Sequence, residues 1–172
     1  MALVVAGGQV WFAERTVDPE EALATLRRTA KVVRDAGGIV VVLHHSAAGH
    51  SRAGPREGER GGDLVLTIAP GDVVVDCVGM SGFSGGALDG ELRRRGIDHL
   101  AVGGLGLESA VYSTLGAAND RGYECLALTD ASAVHDAEAG PRAIASITMS
   151  GGIFGAVGTS IALCDALLEE QP

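Results

Sequence analysis

Short apolar runs recur along the chain, separated by segments whose apolar positions fall three and four apart. Leu3-Val4-Val5-Ala6, Ile39-Val40-Val41-Val42-Leu43, Val73-Val74-Val75, Leu100-Ala101-Val102 and Cys125-Leu126-Ala127-Leu128 read as strands, each apolar on both faces. A sixth short run falls near Phe154 to Val157. Strands of this kind alternating with helices predict a parallel sheet covered on both sides. The helices are punctuated. Asp18 is expected to cap the first, with Pro19 at its first position, Glu20 and Glu21 in its first turn and Gly37-Gly38 as its stop. Leu23, Leu26, Ala30 and Val33 form its apolar stripe. Further helices are predicted from Ala87 to Arg95, Glu108 to Arg121, Pro141 to Met149 and Ser160 to Glu169. The fold class is α/β: a doubly wound, mostly parallel six-stranded sheet with helices on both faces, in one domain over residues 1–172.

Ser46 to Asp63 breaks the pattern, being rich in Gly, Ser, Arg and Glu with no periodicity. It is expected to be a long mobile surface loop, with a lid as the alternative reading. The composition, 47% hydrophobic and 20% charged, belongs to a globular chain with a real core. No run reaches the length of a membrane span, and the apolar N-terminus lacks the basic start of a signal peptide. A net charge of −9 speaks against a nucleic-acid partner. The one basic run, Arg93-Arg94-Arg95, closes a predicted helix, where cations suit the dipole. Three cysteines without a CxxC give neither a disulfide framework nor a zinc ribbon, and fit a reducing cytoplasm. Arginine far outnumbers lysine, a bias expected of a high-GC bacterial genome.

Open parallel sheets bind ligands beyond the carboxyl ends of their strands. The expected ends are Gly7-Gly8-Gln9, His44-His45, Cys77-Val78-Gly79 and Gly104-Leu105-Gly106. Leu3 to Phe12 resembles the "LLVIDMQNDF" strand end of the isochorismatase-like, or cysteine hydrolase, superfamily. Ser81 to Leu88 is similar to its "SAFxGTxL", and Arg95 to Leu100 to "GIxxL". Asn119 to Tyr123 with Thr129-Asp130-Ala131 resembles "AxDxGY…DA", and Gly151 to Gly155 a "GGxFG" segment. The resemblance runs over nearly the whole chain and implies an isochorismatase-like, Rossmann-like fold. It implies hydrolysis of amides or related bonds by an Asp base, a Lys and a Cys nucleophile beside a cis peptide. Those positions fall on Gly7, Cys77 and Ala110, and the cis peptide on Leu105 and Gly106. The one lysine, Lys31, lies within the first predicted helix, and Cys125 and Cys164 lie within a predicted strand and helix. The usual covalent amidase chemistry is therefore not expected.

Three residues remain as catalytic candidates. Cys77 is either a relocated nucleophile or a small buried residue filling the space of the family's Lys, and Asp76 beside it would raise its pKa. Glu108 is a general acid or base, or simply an acidic residue in a first helical turn. His45 is expected to line the pocket. Gln9 matches a family residue expected to hydrogen-bond backbone there, and Gly7, Phe12, Leu105, Gly106, Ala110 and Tyr112 complete the expected binding wall. Trp11, Phe12, Phe83 and Tyr112 are core fillers by default. His44, His45 and His50 invite a metal reading, but adjacent histidines on an extended chain face opposite ways, so no metal or other cofactor is expected. Asp130 is expected to cap the turn after its strand. Two functions stay open. One is an atypical enzyme acting noncovalently on a small carbonyl, enol or cyclic metabolite as a hydrolase, lyase or cyclase. The other is a pseudoenzyme serving as a small-molecule binder or structural subunit. The resemblance implies a homo-oligomer.

Overall fold

Apolar residues at every position of Ala2–Ala6 leave that segment no solvent face, and all five are buried. This strand, β1, lies inside the sheet of the computed structural model, which describes residues 1–48, 52, 54–56, 58–149, 151–152 and 154–169. The other strands are β2 (Ile39–Ser46), β3 (Val73–Val78), β4 (His99–Leu105), β5 (Glu124–Ala133) and β6 (Ala156–Gly158). Their order is β3-β2-β1-β4-β5-β6, and every neighbouring pair runs parallel. The edge strand β3 alternates instead: Val75 and Cys77 point inward while Val74 and Val78 face out, as an uncovered edge permits.

The helices are α1 (Val10–Ala13), α2 (Pro19–Asp35), α3 (Ala87–Arg94), α4 (Tyr112–Asn119), α5 (Ala139–Met149) and α6 (Ser160–Glu169). α2 buries the predicted stripe of Leu23, Leu26, Ala30 and Val33. With α6 it covers the face on which Val40 and Val42 lie near Ala30. Leu43 points the other way, toward Gly82 and Leu88 of the α3 side. The Gly82 N–H donates to Thr114 Oγ1 at 3.0 Å and so ties α4 to that same face.

Asp18 does stand before α2, but at φ 43 its side chain makes no capping bond; the left-handed backbone, not the carboxylate, starts this helix. Four strands outrun their apolar cores: β2 continues to Ser46, β3 to Val78, β4 to Leu105 and β5 to Ala133. The third predicted helix opens with a π-helical turn, Leu107–Val111.

The chain leaves β1 toward β2 and β3, then crosses back to place β4 on the other side of β1. In open parallel sheets ligands bind at such a reversal, which here lies above the carboxyl ends of β1 and β4. The described part of the 46–63 connection is tied down beside it. Ala47 N donates to the Pro55 carbonyl at 2.9 Å, Trp11 N to Gly61 at 3.0 Å and Val10 N to Asp63 at 2.9 Å. His50, and Ile153 of the GGxFG segment, lie outside the described residues. Among the described residues no helix is long and apolar enough to cross a membrane.

Candidate functional site

Gly7 ends β1 with φ +64, a conformation side chains rarely adopt. A Cβ there would collide with the Leu105 carbonyl oxygen and meet the Phe12 ring at 3.0 Å. The strand end therefore has no room for a side chain. Phe12, wholly buried, occupies that space. Its ring lies 5.2 Å from that of His45 and 6.3 Å from that of His135, so it divides the strand ends into two halves.

The first half is dry. β2 carries His44 and His45 to opposite faces. His44 meets Asp76 at 2.7 Å near the surface, while His45 is fully buried. Gln9 fixes this turn of chain: its Nε2 donates to the His45 carbonyl at 3.1 Å and its Oε1 accepts from His45 N at 2.8 Å. His45 Nδ1 lies 2.9 Å from the Gly79 carbonyl, which can only accept, so Nδ1 carries the proton. Burial, partly offset by that bond, lowers the His45 pKa and keeps the ring neutral. Cys77 Sγ is 3.3 Å from the same Nδ1 and donates to the His44 carbonyl at 3.7 Å. The imidazole has no lone pair on that side with which to take the thiol proton. Burial, and then Asp76, push the thiol up to about 12. Cys77 thus has the distance of a thiol–imidazole pair without its proton arrangement.

The second half is polar and half-exposed. It is built by the end of β5 and the π turn after β4. Glu108 Oε1 accepts from His135 N at 2.7 Å and Asp136 N at 3.2 Å, clamping the chain beyond β5. Its Oε2 is buried without a partner among the described residues. His135 Nδ1 faces the Arg15 carbonyl at 3.0 Å, and Val17 N donates to the Val134 carbonyl at 2.7 Å to hold the two segments together. Nδ1 must therefore bear a proton, and in the uncharged form of the ring it is the Nε2 lone pair that faces Ser109 Oγ at 3.1 Å. A hydroxyl donating to an oriented neutral imidazole is the arrangement that allows proton transfer. The single Ser109 hydroxyl proton has a second acceptor, the Gly106 carbonyl at 3.3 Å, to which Oγ donates when it does not donate to His135. Gly106, at φ +90, makes the space: a Cβ would collide with Ser109 Oγ and lie 2.8 Å from His135 Nε2.

Of the residues expected from sequence, Gly7, Gln9, Phe12, His45, Cys77, Leu105, Gly106 and Glu108 do gather at these strand ends. Ala110 and Leu105 are buried there. The described chain has no cis peptide; it turns at Leu105–Gly106 through the positive φ of Gly106. The Tyr112 ring instead meets that of Phe154 at 5.7 Å in a tilted arrangement and belongs to the packing of α4. Asp130 lies inside β5 and accepts from Ser160 N at 2.8 Å and Ser160 Oγ at 2.6 Å, so it anchors the start of α6 and not a turn after its own strand. Among the described residues no three His, Cys, Asp or Glu side chains are placed to hold a metal. A cavity of about 900 Å³ lies at the opposite end of the sheet, by Met1, Gly38, Leu100, Cys125, Val157 and Leu167. Its His99, Glu124 and Thr148 are exposed, so it lacks the buried, converging polar groups that orient a substrate.

The isochorismatase domain model matches residues 1–160. An isochorismatase-like hydrolase from Alkaliphilus metalliredigens superposes with a TM-score of 0.85 at 21% identity, over 96% of this chain and 95% of that one. A cysteine hydrolase from Pseudomonas syringae pv. phaseolicola gives 0.86 at 21% identity, over 98% and 92%. N-carbamoylsarcosine amidase from Thermoplasma acidophilum gives 0.77 at 25% identity, over 92% and 95%. With its six-stranded parallel sheet and a family model matching residues 1–160, the chain belongs to the isochorismatase family.

Proposed function

We propose that this chain is an isochorismatase-fold enzyme without the family's Asp, Lys and Cys. It acts on a small carbonyl, enol or cyclic metabolite with no thiol step. One observation carries the reading: His135, half-buried beyond the end of β5, has Nδ1 held by a carbonyl and Nε2 facing a hydroxyl at 3.1 Å. Gly7, Cys77 and Ala110 stand where the resemblance puts the three family groups, and none supplies a base, a cation or a thiolate. His135 supplies a base nearby. In its simplest form the chemistry is noncovalent, the imidazole taking a proton from a bound water or substrate hydroxyl and returning it to the departing group. Glu108 Oε1 positions His135, and the buried Oε2 offers an acceptor to a substrate donor. The hydrolytic relatives make hydrolysis the first reaction to assay, and by the same resemblance the working form is a homo-oligomer.

A second reading, a small-molecule binder without turnover, draws on Phe12, which fills the space at the end of β1. The test uses protein treated with iodoacetamide and assayed on 4-nitrophenyl acetate. Turnover that survives the treatment and falls in a His135→Gln variant supports the enzyme. No turnover before or after treatment leaves the binder, and loss tracking alkylation of Cys77 restores a thiol mechanism.

A further inference from the structure

The polar half contains a nucleophile as well as a base. We infer that Ser109 is an acyl acceptor: its hydroxyl attacks small activated acyl compounds, esters foremost, with His135 as its base. The inference rests on the proposed function and goes beyond it by naming the attacking atom, the covalent intermediate and the substrate class.

Four observations converge on Ser109. Its Oγ faces His135 Nε2 at 3.1 Å, the nitrogen that is unprotonated in the uncharged ring because Nδ1 holds the proton. That tautomer is fixed from behind by the Arg15 carbonyl at 3.0 Å, which takes the place a carboxylate holds in other serine nucleophile sites. The residue sits in a π-helical turn, a local widening often found where a helix presents a functional side chain. Gly106 is the only residue type whose lack of a Cβ leaves both Oγ and Nε2 in place. None of these features is needed to bury the neighbouring core. Leu107, Ala110 and Val111 of the same turn already do that.

The step balances without a further reagent. Ser109 Oγ forms a bond to the carbonyl carbon while its proton passes to His135 Nε2. Collapse of the tetrahedral oxyanion breaks the bond to the leaving oxygen, and Nε2 returns the proton to the departing alcohol. Water, deprotonated by the same nitrogen, then cleaves the Ser109 ester, giving a carboxylic acid and the free hydroxyl. Esters are preferred because their oxygen leaving group needs less protonation than an amide nitrogen. Ser109 and His135 are the catalytic residues of this scheme; Gly106, Glu108 and the Arg15 carbonyl are positioning groups.

The experiment exposes the whole chain to a small alkyl fluorophosphonate and, separately, to 4-nitrophenyl acetate, with adducts mapped by peptide mass spectrometry. The expected result is a single adduct on Ser109 and a burst of about one 4-nitrophenolate per chain. The adduct is absent in Ser109→Ala, at least about a hundredfold slower in His135→Gln, and unchanged in Ser113→Ala, a half-buried position of α4. Mapping on the wild-type protein needs no variant, so a misfolded substitution cannot hide the answer. Turnover without a Ser109 adduct, retained by Ser109→Ala, overturns the nucleophile and leaves the His135 base standing. Absence of both adduct and turnover overturns the nucleophile and the proposed enzyme together.

Discussion

Two imidazoles stand at the ends of this sheet, each within 3.3 Å of a side chain able to act as a nucleophile, and they differ in every respect that matters for reactivity. His45 meets Cys77 through the nitrogen that already carries a proton, in a site sealed from water. His135 meets Ser109 through its lone pair, in a site that is half-exposed. The intrinsically better nucleophile has the worse surroundings: burial and Asp76 hold the thiol near 12. Proximity therefore says little until the other nitrogen's partner is known. At His45 the Gly79 carbonyl takes the proton on the Cys77 side; at His135 the Arg15 carbonyl takes it on the far side and frees Nε2.

Exchanging each imidazole separates the halves most strongly. His135→Gln is expected to lower kcat/KM for 4-nitrophenyl acetate about 10² to 10⁴-fold, the range for a lost general base, with little change in urea midpoint. His45→Gln should do the reverse, lowering the urea midpoint through the lost Gly79 bond and Phe12 packing while folded protein keeps its turnover. Equal activity losses in both variants would erase the distinction.

Introducing an acidic residue at the end of β1 tests the dry half. Gly7→Asp should cost on the order of 3 kcal/mol, since a Cβ collides with the Leu105 carbonyl and φ is positive. Calorimetry reads this, and a variant as stable as the parent would show that the strand end yields. A smaller effect is expected at Glu108→Gln, which keeps an oxygen acceptor for His135 N but not its charge. Its kcat/KM should fall about tenfold, equivalent to about 1.4 kcal/mol.

The pH dependence of stability is the smallest effect and has two limbs. The His45 pKa is depressed when folded, so its contribution is present above about pH 6.5 and lost as pH falls through the lower folded value. The Cys77 pKa is raised from 9.0 to about 12, so the unfolded chain releases that proton first and stability falls as pH rises through this interval. Urea titrations across pH should show both limbs, the alkaline one shallower in Cys77→Ala and not abolished, because burial also holds Cys125 near 12.

The sheet was legible because the middles of β1, β2 and β4 are buried on both faces, and these strands and β5 write themselves as unbroken apolar runs. The helix stops at Gly37 and Gly96 and the opposed faces of His44 and His45 follow from equally local rules. What local rules miss is where a strand ends when its last residues are polar. The apolar run of β5 stops at Leu128, yet pairing with β4 carries the strand through Thr129 and Asp130 to Ala133. That five-residue extension delivers His135 to the site, and without it the histidine reads as an ordinary loop residue. Ser109 was hidden differently: it lies one residue before the position the family pattern draws attention to, and its partner is 26 residues away. Asp18 was misleading because residue type predicts a capping side chain, while the helix is entered through backbone geometry.

The account stands or falls on which half does the chemistry. Its most direct test is kcat/KM for 4-nitrophenyl acetate, measured side by side for Cys77→Ala and Ser109→Ala with both shown to be folded. Cys77→Ala is expected to match the wild type within about twofold, while Ser109→Ala loses at least about a hundredfold. An inactive Cys77→Ala beside an active Ser109→Ala would contradict it and return the reaction to the thiol.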